Sequence, residues 1–197
     1  LMQIDANFIN DLYDYLKGSD REDRLGPERA CAQGWISPSG MKKGILVTTA
    51  LAAVTGLFLL GYGGWEMIPV GIACIIFAFL YTTGPYPLAY HGWGDILVLV
   101  FFGFVPVGCT FYVMAHDWNT SVTMVSLACG FVIDTLLMVN NFRDREQDAI
   151  SGKKTIVVRL GARTGLILYF LLGLAACWSC FYFVTEGRLW AAILPQI

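Results

Sequence analysis

Residues 118–142 read WNTSVTMVSLACGFVIDTLLMVNNF, and residues 143–148 that follow read RDREQD. The first stretch holds one charge, Asp134, over a length that suits the roughly 20 mostly apolar residues needed to cross a bilayer. In hydrocarbon an unpaired backbone polar group costs on the order of several kcal/mol, so such a run must pair its own backbone as a helix. Working outward, 44–65, 96–115 and 165–185 carry no charge, and 67–83 is a shorter apolar run near the lower limit. Residues 1–16 read as the end of a helix begun upstream, and Leu189 onward as the start of another. The expected fold is all-α: a polytopic transmembrane helix bundle forming one domain over 1–197.

Composition points the same way. Hydrophobic residues make up 56% of the chain and charged residues 14%, against about 25% charged in an average soluble chain. Mean hydropathy is +0.60. A net charge of −2 gives no electrostatic footprint for nucleic acid. Of the six cysteines, Cys74, Cys109, Cys129, Cys177 and Cys180 fall inside apolar runs and only Cys31 in a polar segment. They read as small packing residues rather than a disulfide framework. The chain opens on Leu1 and stops as a new apolar run begins, which reads as trimming at both ends.

Twelve of the thirteen Lys and Arg residues lie in 17–43 and 143–164; only Arg188 falls in a turn on the opposite side. By the positive-inside rule these loops, and the acidic clusters they contain, face the cytoplasmic side of the cell membrane.

The first cluster is Asn7, Asn10, Asp11, Asp14, Lys17 and Asp20. At steps of three and four residues, Asn7, Asn10/Asp11, Asp14 and Lys17 share one helix face. The second is Asn140, Asp144 and Asp148, spaced by four residues at the end of a span and followed by Lys153. Carboxylates at that spacing repel each other unless a cation sits among them. Magnesium takes one or two carboxylates and completes its octahedron with water and substrate phosphates. The plainer alternative is two solvated helix ends. It accounts less well for two such clusters on one side, each leading into an Arg/Lys-rich loop suited to a diphosphate.

Asn10-Asp11-x-x-Asp14-x-x-x-Gly18-x-Asp20, with Arg24-Leu-Gly-Pro-Glu-Arg29, resembles the first motif of the 1,4-dihydroxy-2-naphthoate polyprenyltransferases. These form the menaquinone branch of the UbiA superfamily of intramembrane aromatic prenyltransferases. Asn140-Asn141-x-Arg143-Asp144-x-x-x-Asp148, continuing through Gly152-Lys153 and Thr155 to Gly161, resembles their second motif. Tyr81-Thr-Thr-Gly-Pro-Tyr-Pro-Leu-Ala-Tyr90-His-Gly-Trp-Gly-Asp95 resembles the branch's middle loop. The resemblance implies a nine-helix bundle around a central cavity, six or seven of whose helices are wholly or partly present here. It further implies that Asn10, Asp14, Asp144 and Asp148 hold magnesium, with Asp11 and Asp20 as outer supports. Asp14, Asp144 and Asp148 would be catalytic. Arg29, Arg143, Lys153, Lys17 and Arg159 would contact the diphosphate. The implied partners are a polyprenyl diphosphate, 1,4-dihydroxy-2-naphthoate and the lipid bilayer, and the product is demethylmenaquinol.

Tyr81 and Asp95 flank the middle loop as candidates for contact with the aromatic substrate or a phosphate, the alternative being loop anchoring. Asp134 is an intramembrane carboxyl, costly unless paired or functional. It reads as a support for the second cluster or as a buried hydrogen-bonded carboxyl. His91 and His116 make no metal-site pattern. Gly103, Gly108 and Gly130 are expected to permit close helix packing. Other acceptors, such as 4-hydroxybenzoate, remain alternatives within the superfamily. A divalent-cation transporter is the alternative outside it; that predicts acidic residues through the bilayer's depth, where the spans hold only Asp134.

Overall fold

The computed structural model describes residues 1–20 and 25–193. Arg21 and Arg24 of the first basic loop, and residues 194–197, lie outside them. Every regular element among the described residues is helical. Helix α1 is Met2–Leu16. Helix α2, Pro38–Phe58, continues through the short α3, Leu60–Gly63, and α4 is Met67–Thr82. A 3₁₀ turn at Leu88–His91 leads to α5, Gly94–Val98, a π-helical stretch at Leu99–Cys109 and α6, Thr110–Ala115. Helix α7 is Thr120–Arg143, α8 Arg145–Ile150, α9 Ile156–Leu160, α10 Ala162–Thr185 and α11 Leu189–Ile193.

Local chemistry fixes where the long helices begin. Ser37 caps α2 by accepting the Gly40 N–H at 3.1 Å, with Pro38 in the first turn, where a missing N–H is harmless. Asn119 caps α7 by accepting the Val122 N–H at 3.1 Å. Within the 94–115 rod, Pro106 lacks the N–H that an α-helix needs there, and the chain winds as a π-helix around it.

The segments Pro38–Gly63, Gly94–Ala115, Thr120–Arg143 and Ala162–Thr185 are long and apolar enough to cross a bilayer, and Met67–Thr82 is a shorter apolar helix. These match the expected runs to within three residues, except that the first span begins six residues earlier, at Pro38. Large apolar side chains such as Leu57, Phe58, Phe170 and Trp178 point outward. In water so much exposed apolar surface would drive aggregation; in lipid it is the solvated face.

Packing divides into two groups. Helix α1 lies against α2 and α4, and α7 lies between the 94–115 rod and α10. A core of Ile9, Leu12, Cys31, Met41 and Ile45 seals the first group. Asp5, fully buried, accepts the Thr48 and Thr49 hydroxyls at 2.5 and 2.8 Å, which satisfies its carboxylate and fixes α1 to α2. In the second group Gly103 and Gly130 bring two helix backbones together, as expected for small residues. Gly108 serves a different purpose: the Trp118 indole of the following turn lies over it.

Candidate active site

The C-terminal half of α1 supplies the first set of groups. Asn10 Nδ2 donates to Asp14 Oδ2 at 3.0 Å and to Thr82 Oγ1 at 3.1 Å, while its Oδ1 accepts Arg29 Nη2 at 2.7 Å. Asp14 Oδ1 accepts the Tyr90 hydroxyl at 2.9 Å. Lys17 Nζ donates to the Thr82 carbonyl. Asp20 Oδ2 lies 3.7 Å from Arg29 Nε. The predicted shared face is therefore narrower than expected. Asn7 donates to the Gln3 carbonyl of its own helix, and Asp11, a turn of about 100° from Asn10, faces elsewhere.

Asp11 accepts the backbone N–H groups of Ala30 at 2.9 Å and Cys31 at 3.1 Å. It thereby holds the loop that carries Arg29 over the helix. Burial, then the Asp11 carboxylate, pushes the Cys31 thiol up to about 11, so it stays protonated and inert. Asp11→Ala leaves two N–H groups without their anion and is expected to cost about 2–4 kcal/mol. The midpoint of thermal unfolding in detergent measures that loss.

The second motif reaches the same place from the other side. Lys153 Nζ lies 3.3 Å from Asp14 Oδ2 and 3.9 Å from Asp148 Oδ1, so one ammonium joins carboxylates more than a hundred residues apart in sequence. Arg143 grips Asp144 through two bonds, Nε to Oδ1 at 2.6 Å and Nη2 to Oδ2 at 2.7 Å. The four-residue spacing of Asn140, Asp144 and Asp148 crosses a helix boundary at Asp144, whose φ of −91° and ψ of 4° end α7 and begin α8. The four-residue hydrogen bonds persist across the break, from Asp144 N to Asn140 O at 2.9 Å and Asp148 N to Asp144 O at 2.8 Å.

The middle loop ties both motifs together. The Lys154 N–H donates to the Tyr90 carbonyl at 2.9 Å, and Arg159 Nη2 donates to the His91 carbonyl at 2.9 Å. Arg159 thus binds the loop. Gly92 is required here: its φ is +78°, and a Cβ would stand 3.0 Å from the Lys154 carbonyl oxygen. The Tyr81 ring abuts the start of α5, where its hydroxyl would lie 3.5 Å from a Cβ on Gly94. That hydroxyl lies within the field of Asp14, Asp95, Asp134 and Asp148. Asp95 Oδ1 and Asp134 Oδ1 are buried without a hydrogen-bond partner among the described residues.

Electrostatics at this end are mutually compensating. Burial lowers the Lys17 pKa and the nearby Lys153 adds to this, while Asp14 opposes both. Burial, then Asp14, raises the Tyr90 pKa against the Ser19 hydrogen bond, so Tyr90 remains a donor. Ser19, Thr82 and Tyr90 all touch the cluster, and the acidic spacing alone does not single them out. Tyr90 and Thr82 lie inside the middle-loop stretch 81–95, and Ser19 within the first motif.

A family model described as the UbiA prenyltransferase family matches residues 1–195. The chain belongs to the UbiA prenyltransferase family. Membership and the four apolar spans make it a multi-pass membrane protein. It is 39% identical over 193 residues to the 1,4-dihydroxy-2-naphthoate octaprenyltransferase of Haemophilus influenzae, covering 94% of this chain and 63% of that protein. It is 36% identical to the Escherichia coli protein of the same name, covering 96% and 64% respectively. With the same-named Mycobacterium tuberculosis protein it shares 37% identity over 87% of this chain and 59% of that one. The chain thus spans somewhat under two thirds of the length of these UbiA relatives. No solved structure matches it.

Proposed function

We propose that this protein transfers a polyprenyl group from an allylic polyprenyl diphosphate to 1,4-dihydroxy-2-naphthoate, with loss of the carboxylate, giving demethylmenaquinol for menaquinone biosynthesis. The observation that carries the reading is the meeting of Asp14 and Asp148 on one cation, Lys153, at 3.3 and 3.9 Å. The names of the relatives supply the acceptor.

Asn10, Asp14, Asp144 and Asp148 are the candidate magnesium ligands, supported by their hard oxygen donors. Among the described residues no three acidic, His or Cys side chains are drawn together; magnesium needs only one or two carboxylates when phosphates and water complete its shell. Bound there, it would neutralise charge on the departing diphosphate.

The chain's own groups do the rest. Lys17, Lys153 and Arg29 receive the diphosphate oxygens and stabilise the charge that grows as the allylic C–O bond breaks. The naphthoate ring carbon attacks the allylic carbon, and departure of carbon dioxide restores aromaticity. Asp95 and Asp134, whose buried Oδ1 atoms lack partners among the described residues, accept the acceptor's phenolic O–H groups, with Tyr81 between them and the diphosphate. The apolar spans house the prenyl tail and keep water from the cation. Both motifs lie at the cytoplasmic face of the cell membrane, a reading supported by the bias of Lys and Arg toward 17–43 and 143–164.

One assay tests this: the full chain in detergent with 1,4-dihydroxy-2-naphthoate, a polyprenyl diphosphate, and magnesium added or chelated. The expected outcome is prenylated, decarboxylated naphthoquinol plus diphosphate, only with the metal. Asp144→Asn should lose activity by about a hundredfold or more, since the amide carries no charge and offers Arg143 a single acceptor. Metal-independent turnover, or a fully active Asp144→Asn enzyme, would sink the mechanism.

A further inference from the structure

Tyr90, half-buried at the end of the 3₁₀ turn, is reached from both motifs at once. Its hydroxyl donates to Asp14 Oδ1 at 2.9 Å and meets Ser19 Oγ at 2.6 Å. Lys17 Nζ lies 4.3 Å from its ring centroid and Lys153 Nζ 5.3 Å. Its carbonyl accepts the Lys154 N–H at 2.9 Å. A loop anchor needs only that backbone bond. Here the side chain touches the carboxylate of one motif and a lysine from each.

Two ammonium groups drawn to one place repel each other. An aromatic face attracts each of them, so the ring reduces the cost of keeping both lysines together before a polyanion arrives. The hydroxyl has a separate task. It fixes one Asp14 oxygen, leaving the other toward Asn10 and Lys153.

We propose that Tyr90 is a positioning residue with two separable parts: its hydroxyl aims the Asp14 carboxylate, and its ring gathers Lys17 and Lys153 to receive a diphosphate. The role rests on the prenyl-transfer reading for the identity of that diphosphate. It predicts a division that a space-filling tyrosine would not produce. Phenylalanine keeps the ring and loses the hydroxyl; leucine loses both.

The test is a binding measurement on the full chain in detergent. Farnesyl S-thiolodiphosphate serves as an uncleavable probe, titrated at saturating Mn²⁺. Mn²⁺ uptake is followed by electron paramagnetic resonance at saturating probe. Tyr90→Phe should bind the probe within about twofold of wild type, while its half-saturating Mn²⁺ concentration rises about tenfold. Tyr90→Leu should show the same metal shift and also bind the probe about tenfold more weakly. Should Tyr90→Leu not fold, Tyr90→Trp gives the second arm: its indole face should keep probe affinity near wild type while metal uptake weakens. Equal loss of probe affinity in Tyr90→Phe and Tyr90→Leu, unchanged metal uptake in Tyr90→Phe, or a Tyr90→Trp protein that binds the probe tenfold more weakly overturns the proposal. Failure of the wild type to bind the probe with any metal overturns the prenyl-transfer reading, and this role with it. Failure confined to the variants leaves that reading standing.

Discussion

Asp14→Asn lowers turnover about a thousandfold while the protein remains folded; this is the largest catalytic effect expected of a single isosteric change. Asp14 accepts Asn10 Nδ2 at 3.0 Å and the Tyr90 hydroxyl at 2.9 Å, and faces Lys153 Nζ at 3.3 Å. Each of those partners is a donor. An asparagine of the same shape can keep one oxygen for Tyr90, but its amide N–H₂ then points at the donors of Asn10 and Lys153. The geometry survives in outline and the charge does not. In the proposed reaction a metal-held diphosphate would need that charge, because each carboxylate would both bind the cation and set its position against the substrate phosphates. Losing about 4 kcal/mol of transition-state stabilisation corresponds to the thousandfold figure. The measurement is kcat in detergent at saturating metal, paired with the thermal midpoint, which should move by only a few degrees. A kcat within tenfold of wild type would remove Asp14 from the chemistry.

The same residues show how far sequence alone encodes the fold and the site. The spans were legible because an uncharged run of bilayer length has few other uses, and the four long ones fall where hydropathy put them. The sense of the first motif was legible too, since a four-residue step puts Asn10 and Asp14 on one side of a helix, where they bond directly at 3.0 Å. What the spacing could not tell is which neighbours that helix would meet. Asp11 lies one residue from Asn10, yet its acceptors go to Ala30 and Cys31 because the loop folds back over that side. Asp5 belongs to no motif, and only the packing of α2 brings Thr48 and Thr49 to it. The break at Asp144 leaves no periodic signature, because the hydrogen bonds on either side keep helical spacing. Tyr90 is the sharpest case. Its contacts depend on how the 84–93 loop lies between motifs, which no local pattern encodes.

Gly103→Val is expected to destabilise the bundle by about 3 kcal/mol or more, the largest effect expected away from the chemistry. A Cβ at Gly103 would stand 2.6 Å from the Ser126 carbonyl oxygen, 2.9 Å from the Gly130 Cα and 3.2 Å from the Gly130 nitrogen. All three are backbone atoms, so no rotamer change can make room; the 94–115 rod must move away from α7. Overpacking of this kind costs about 1–3 kcal/mol even where side chains can yield. The helix propensity that an added side chain restores is less than about 1 kcal/mol and cannot offset it. Gly130 provides the internal control. A Cβ there would meet Leu99 Cδ1 at 2.6 Å, the end of a flexible side chain, before the Leu99 carbonyl oxygen at 3.2 Å. Gly130→Ala should therefore cost only about 1 kcal/mol. Equilibrium unfolding in mixed micelles separates the two variants. Asp95 stands at the start of the rod and Asp134 one turn beyond Gly130 on α7, so a displaced rod pulls apart the pair proposed to hold the acceptor. Whatever Gly103→Val protein stays folded should thus show a raised KM for the naphthoate with the KM for the prenyl diphosphate little changed. Wild-type stability in Gly103→Val, or a greater loss in Gly130→Ala, would mean that this backbone contact does not set the spacing of the two helices.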